Sequence, residues 1–414
     1  MLSQKERLRL SHASELLYKI SRRVRILGHL TWPNSVRHKF FRSGSEKLPK
    51  IDYPLFDSEG IKVQLQNVRE KLGDLPMDKW LLKKTKDIEE SVNLIDCCGS
   101  PDFFKYSAKI YGTPTSKLRD GKTTPIDLAK RFESIMQRQK TVVKNKLNKN
   151  SIDSLEMKNR LEERVNIFFG KESPEVLIVD GISAKATASS RRIRLRKNAV
   201  FTERDVDQLI NHEAMVHVAT TLNGRHQHKM RILGGNYGSI TKTQEGLAVF
   251  AEFITGCIDI RRMYRIMDRV EAIQMSIEGA DFIEVYRYFL DRSKLKTEAF
   301  ENARRIFRGG VITGRYPFTK DMVYLDGLVR VYNFIRAVIS RGRNDVLKLL
   351  FSGKMDLDDM PIILEMDKEG LINHPKFLPD WVIDKDYLTS YFSFSIFIGE
   401  MDHQKTDDYY EQLF

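Results

Sequence analysis

Apolar positions recur at helical spacing along most of this chain and alternate strictly in one short stretch. Over residues 4–28, Leu8, Leu16, Ile20, Val24 and Leu27 fall between basic residues, which predicts one amphipathic helix, with Trp32-Pro33 as its stop. Residues 44–60 hold Gly44, Pro49, Pro54 and Gly60 and read as loop, and two short helical stretches then lead to Cys97. Gly99-Ser100-Pro101 breaks the pattern and sets a boundary between an N-terminal helical lobe, 1–100, and a larger unit, 101–414. Residues 126–168 are long, charged and helical, with a turn at 148–151 and Ser151 or Ser154 as cap of the second helix. Val176, Leu177, Ile178 and Val179 are β-branched or apolar and precede the turn pair Asp180-Gly181. Arg192, Ile193, Arg194, Leu195 and Arg196 alternate as a half-exposed strand does. From 204 onward the pattern is helical again, at about 205–222, 243–262, 264–275, 281–291, 297–307, 321–341 and 344–352. The expected class is α+β, a helix-rich body with one small β-sheet.

Composition narrows the class of protein. The chain has 414 residues, 41% hydrophobic and 30% charged, enough for two domains or for one large domain with a helical lobe. The net charge of +13 is concentrated at the start, where residues 1–50 hold twelve Lys/Arg against three Asp/Glu, or +9. Such a surplus suits either an acidic partner, including an acidic protein tail, or a plain solvated helix face. No RNP, zinc-finger or basic-zipper pattern accompanies it, so nucleic acid is not the expected partner. The cysteines are Cys97, Cys98 and Cys257; an odd count with an adjacent pair builds no disulfide framework and fits a reducing compartment. The N-terminal segment has no unbroken apolar core, and no stretch approaches the ~20 apolar residues of a membrane span. The expectation is a cytoplasmic protein without a membrane partner.

Candidate chemistry lies in two segments. The first is Asn211-His212-Glu213-Ala214-Met215-Val216-His217, inside an apolar helical stretch. The second, Gln244-Glu245-Gly246-Leu247-Ala248, opens the following helix. Catalytic zinc commonly takes three protein ligands and keeps a fourth position for water. Two His on one helix with a Glu from the next make such a set, and a Glu directly after the first His can act as general base on that water. The spacing is one residue too long for the usual H-E-x-x-H: 217 − 212 = 5. At ~100° per residue the two imidazoles of an ideal α-helix would stand about 140° apart. The pair therefore requires an inserted residue, a π-type bulge.

These residues also carry a resemblance. Asn211, His212, Glu213 and His217, followed by Asn223-Gly224 and Gln227 and then by Gln244-Glu245-Gly246-Leu247-Ala248, resemble the QEGLA-motif family. That family includes bacterial "flavohemoglobin expression-modulating QEGLA motif" proteins and vertebrate microtubule-associated tyrosine carboxypeptidases. Leu30-Thr31-Trp32-Pro33, Phe40-Phe41, residues 48–52, Arg308-Gly309-Gly310 and residues 318–325 extend the likeness over nearly the whole chain. The resemblance implies a zinc metallopeptidase of carboxypeptidase type over 101–414, with a gluzincin-like core and one Zn2+ per chain. It implies His212, His217 and Glu245 as metal ligands and Glu213 as the catalytic Glu. The expected substrate is a peptide or protein C-terminus ending in Tyr or Phe. The alternative is a catalytically silent metal-binding regulator of gene expression.

The remaining roles are assigned by residue type. The oxyanion needs a donor, and the candidates are Tyr324 first, then Tyr237, His226 and His228. The terminal carboxylate of an exopeptidase substrate needs a cation, for which Arg315 and Lys320 are the candidates. The strand Arg192–Arg196 could serve as an edge that pairs with extended substrate backbone.

Overall fold

A computed structural model describes residues 2–138, 151–180, 182, 185–189, 191–402 and 410. Among these, the architecture is helix-rich with a single three-stranded sheet.

The first helix runs Gln4–Ser21, started by a capping box in which the Ser3 hydroxyl accepts from Glu6 N and the Glu6 carboxylate accepts from Ser3 N. It ends seven residues before the predicted limit. Val24 then turns into the core at 2% exposure, and a separate turn of helix, Ile26–His29, follows. Pro33 does not close a helix but opens one, Asn34–Arg42, while the Trp32 indole donates to the Tyr53 hydroxyl at 3.0 Å. Of the two stretches expected before Cys97, Ser58–Arg69 is short and Pro76–Asp96 is a 21-residue helix. The second helix of the 126–168 region, Ser154–Phe169, is capped by Asp153 rather than by either serine; residues 148–150 of the predicted turn lie outside the described residues, as does Gly181.

The sheet holds the predicted strands β1 (Glu175–Val179) and β3 (Arg192–Arg196), with an additional strand β2 (Ala186–Ser189) between them in sequence. The spatial order is β1-β3-β2, with β3 parallel to β1 and antiparallel to β2. The Arg192–Arg196 strand is therefore central, with both its edges paired, and cannot offer one to a substrate. The edge strand beside the His-bearing helix is β2.

Beyond the sheet, the predicted boundary near 262 falls earlier. One helix is Thr241–Ile254 and the next Ile260–Glu278, separated by Gly256 in the left-handed region (φ 69°) and restarted by Asp259, whose carboxylate accepts from Arg262 N. The helices after 352, Met360–Lys368, Asp380–Ile383 and Lys385–Gly399, were not anticipated from the pattern.

Two cores meet on the His-bearing helix. Ala214 and Val218 pack with Leu161, Val165, Leu195 and Phe201 on the sheet side. Val216 packs on the opposite side with Leu247, Phe250 and Ile335, and with Leu10, Leu17 and Trp80 from the first hundred residues. Burial on both sides fixes which way the imidazoles can point.

Candidate metal centre

Residues Ile210–Val218 form a π-helical segment between Glu203–Leu209 and Ala219–Arg225. An i→i+5 ladder brings residues five apart onto one face, which is what the His212/His217 spacing requires. The distortion covers nine residues rather than one bulge. The two rings stand edge to face, with centroids 5.0 Å apart.

The second segment arrives on the helix Thr241–Ile254, which crosses Val323–Ser340 at its opening turns. A Cβ on Gly246 would lie 2.2 Å from the Gly327 carbonyl carbon, and a Cβ on Gly327 would lie 2.2 Å from the Lys242 oxygen. Only glycines permit this crossing, and Glu245 is set by it. Its Oε2 faces both imidazoles, 3.6 Å from His212 Nε2 and 3.7 Å from His217 Nε2. Its Oε1 accepts from Lys320 Nζ at 3.0 Å. Donor atoms of His212, His217 and Glu245 all lie within 4.8 Å of one another, the group among the described residues that could hold a metal ion. The set of two imidazoles and one carboxylate fits zinc.

The supporting groups are more extensive than the motifs reveal. His212 Nδ1 lies 2.6 Å from Glu252 Oε1, and Glu252 is fully buried. Glu252 in turn accepts from Arg262 at 3.1 and 3.2 Å and from Gln208 Nε2 at 3.0 Å. Burial alone would lower the His212 imidazole, but its bonds to Glu245 and Glu252 outweigh that and hold it up to about 10. Burial would raise the Glu252 carboxyl, but Arg262 and His212 bring it down to about 2. Glu245 is likewise held well below its usual range, against its burial, by Lys320 and the two His. A carboxylate on the far nitrogen of a metal-binding His fixes its tautomer and orientation.

Glu213 follows His212 on the same segment, partly exposed and with no hydrogen-bond or ion-pair partner among the described residues. Tyr324 is 8% exposed, and its hydroxyl accepts from Arg305 Nη2 at 3.3 Å. Lys320, Arg262 and Arg269 approach its ring at 5.2, 5.4 and 5.9 Å. Behind it Asp321 receives Arg305 at 2.6 and 2.9 Å and Arg269 at 3.4 Å. Lys354 is partly buried, and burial lowers its amine to about 8.

Other candidates lie elsewhere. Arg315 is exposed at a left-handed turn (φ 70°), its N–H donating to Ser276 O. Ser276 is seven residues along the helix from Arg269, and the Arg315 guanidinium makes no hydrogen bond or ion pair with any group of the centre among the described residues. His226 pairs with Glu172 at 2.8 Å, and His228 is exposed. Tyr237 is buried beside Lys84, 5.8 Å from the amine to its ring. The motif's Asn223 and Gln227 are structural. Asn223 donates to the Phe351 and Phe377 carbonyls and accepts from Lys376 N and Phe377 N, while Gln227 bonds Ser352 and Asn373, fastening the C-terminal part to the His-bearing helix.

The family described as microtubule-associated tyrosine carboxypeptidase matches residues 38–400. The chain belongs to that family. No curated protein matches it. The match takes in the His-bearing helix, the Glu245 helix and the Lys320–Tyr324 segment, so every group assembled around Glu245 falls within the part shared with the tyrosine carboxypeptidase family.

Proposed function

We propose that this chain is a zinc-dependent carboxypeptidase that removes a C-terminal Tyr or Phe from a peptide or protein, on a gluzincin-like core. The observation that carries this reading is the convergence of His212, His217 and Glu245 beside an unpartnered Glu213. Membership of a tyrosine carboxypeptidase family supports the reaction class. A helix carrying both His against the edge strand β2 supports the gluzincin comparison.

His212, His217 and Glu245 would hold the zinc. When bound, zinc supplies Lewis-acid polarisation of the scissile carbonyl and a lowered pKa for the attacking water. Glu213 takes the proton of that water and returns it to the leaving amine. The Tyr324 hydroxyl accepts from Arg305, which leaves its own proton for the oxyanion. Lys320 keeps one Glu245 oxygen engaged, so that the other faces the imidazoles.

The test is metal content by mass spectrometry for wild type and Glu245→Ala, followed by assay on peptides ending in Tyr or Phe. About one zinc in the wild type, and much less in the variant, is expected. Glu213→Gln should keep its zinc and lose about 10²- to 10⁴-fold in rate. A wild type that takes up no zinc, or a Glu213→Gln variant of full activity, overturns the proposal.

A further inference from the structure

Beside Glu245 the buried charges do not balance. Arg262 is matched by Glu252, Lys320 by Glu245, and Arg305 with Arg269 by Asp321. Arg308 has no carboxylate of its own, since Asp321, which attracts it from further off, is bonded to Arg305 and Arg269. Arg308 is 9% exposed, its Nε is buried without a partner, and its guanidinium has no hydrogen bond or ion pair among the described residues. Its Cζ lies over the Phe318 ring, 5.7 Å from the centroid. Buried guanidinium groups are paired as a rule, because the cost of leaving such a charge without a partner is high.

The same ring carries a second polar side chain. Tyr111 is 2% exposed, packs edge to face on the same Phe318 ring at 5.5 Å, and its hydroxyl has no hydrogen-bond partner among the described residues. Burial pushes that hydroxyl up to about 12, and Ser107 on the same helix bonds the Thr319 hydroxyl and N–H at 2.9 and 2.8 Å, which fixes Tyr111 against the Phe318–Lys320 segment. Both groups are firmly mounted. Arg308 follows the helix Lys296–Phe307, with its N–H on Arg304 O at 2.9 Å, and Gly309 N donates to the Tyr53 hydroxyl at 2.6 Å. Tyr111 ends the helix Pro101–Tyr111.

We propose that Arg308 and Tyr111, with Lys320 beside them, form a recess for a single carboxylate, the α-carboxylate of the substrate's last residue. This rests on the carboxypeptidase reading. One residue separates the scissile carbonyl from that carboxylate, a reach of about 3.5 Å, so the recognising cation must lie close to the metal ligands. Lys320, 3.0 Å from Glu245 and two residues after the Phe318 ring that Arg308 and Tyr111 share, meets that demand. Arg315, exposed at its turn and bonded to no group of the centre among the described residues, does not. A guanidinium offers the bidentate geometry a carboxylate accepts, and a neutral tyrosine adds one more donor.

The experiment measures calorimetric binding of N-acetylphenylalanine and of its amide to the zinc-loaded full chain, with turnover of a peptide ending in Phe assayed alongside. Wild type should bind the acid about 10- to 100-fold more tightly than the amide. Arg308→Gln should lose that preference by weakening the acid alone, raise KM far more than it lowers kcat, and keep its zinc. Arg308→Lys should recover part of the preference. Because the arginine has no partner to orphan, Arg308→Gln should melt no lower than wild type, whereas a merely structural arginine would lower Tm on removal. Turnover with an unchanged acid preference in Arg308→Gln overturns the recess and leaves the peptidase standing. Acid-selective binding that depends on Arg308, without turnover, keeps the recess and overturns the peptidase. A wild type that binds acid and amide alike overturns the recess whatever its activity.

Discussion

Glu252 is the residue whose importance is least visible in the motifs. It stands seven positions after Glu245 in the same helix, fully buried, and joins the His212 imidazole to the Arg262 guanidinium. Glu252→Gln preserves the shape but replaces one charged acceptor with an amide, which alters the tautomer and basicity of His212. Zinc affinity, measured by competition with a chelator, is expected to fall about 10- to 100-fold. An unchanged affinity would reduce Glu252 to a packing residue. At this scale the sequence was legible where a ligand type and a spacing coincide: His212, His217 and Glu245 stand together as expected. It was not legible for Arg308 or Tyr111, because an arginine without a partner cannot be told from a surface one until its burial is known.

At the scale of elements, two distortions set the centre. The π-helical segment aligns His212 with His217, and its necessity followed from the five-residue spacing, since an α-helix would have separated them. The Gly246/Gly327 crossing delivers Glu245 and sets Lys320 and Tyr324 beside it. Gly246→Ala would force two helix backbones apart, with overpacking cost of about 1–3 kcal/mol or more. A lowered Tm together with loss of zinc is expected, and a variant with both unchanged would refute the role given to the crossing. The helical pattern located most helices, yet β2, with only Ala186–Ser189, was too short and too weakly apolar to register, and its presence makes β3 central. The Asp259 cap was a readable stop-and-start signal once joined to Gly256.

At the scale of the whole molecule, Lys84 ties distant parts together. It is fully buried on Pro76–Asp96, 2.7 Å from Asp359 and 3.3 Å from Asp87, with Trp80 and Tyr237 around its amine. Burial lowers its amine, but Asp359 and Asp87 outweigh that and raise it. Lys84→Met leaves the buried Asp359 with only the half-exposed Lys83 amine, 3.2 Å away, as its cation, and a loss in denaturant unfolding smaller than the about 3–5 kcal/mol of a fully orphaned buried charge is expected. Adding Asp359→Asn should recover part of that loss, and failure to do so would mean the pair is not the coupling. No helix among the described residues is long and apolar enough to cross a membrane.

By itself the sequence determined the helix-rich class of the molecule and picked out the three residues that stand together as a group able to hold a metal ion. Periodicity, ligand chemistry and a five-residue His spacing are local properties, and each survives without knowledge of what packs against it. The tertiary structure alone decided which cations stand at the centre. Lys320 bonds Glu245 and Arg308 is buried on Phe318, while Arg315, between them in sequence, is exposed at a turn tied to Ser276. The physical reason is that a charge acquires its role from burial and from the absence or presence of a counter-charge, and both depend on chain segments far apart in sequence.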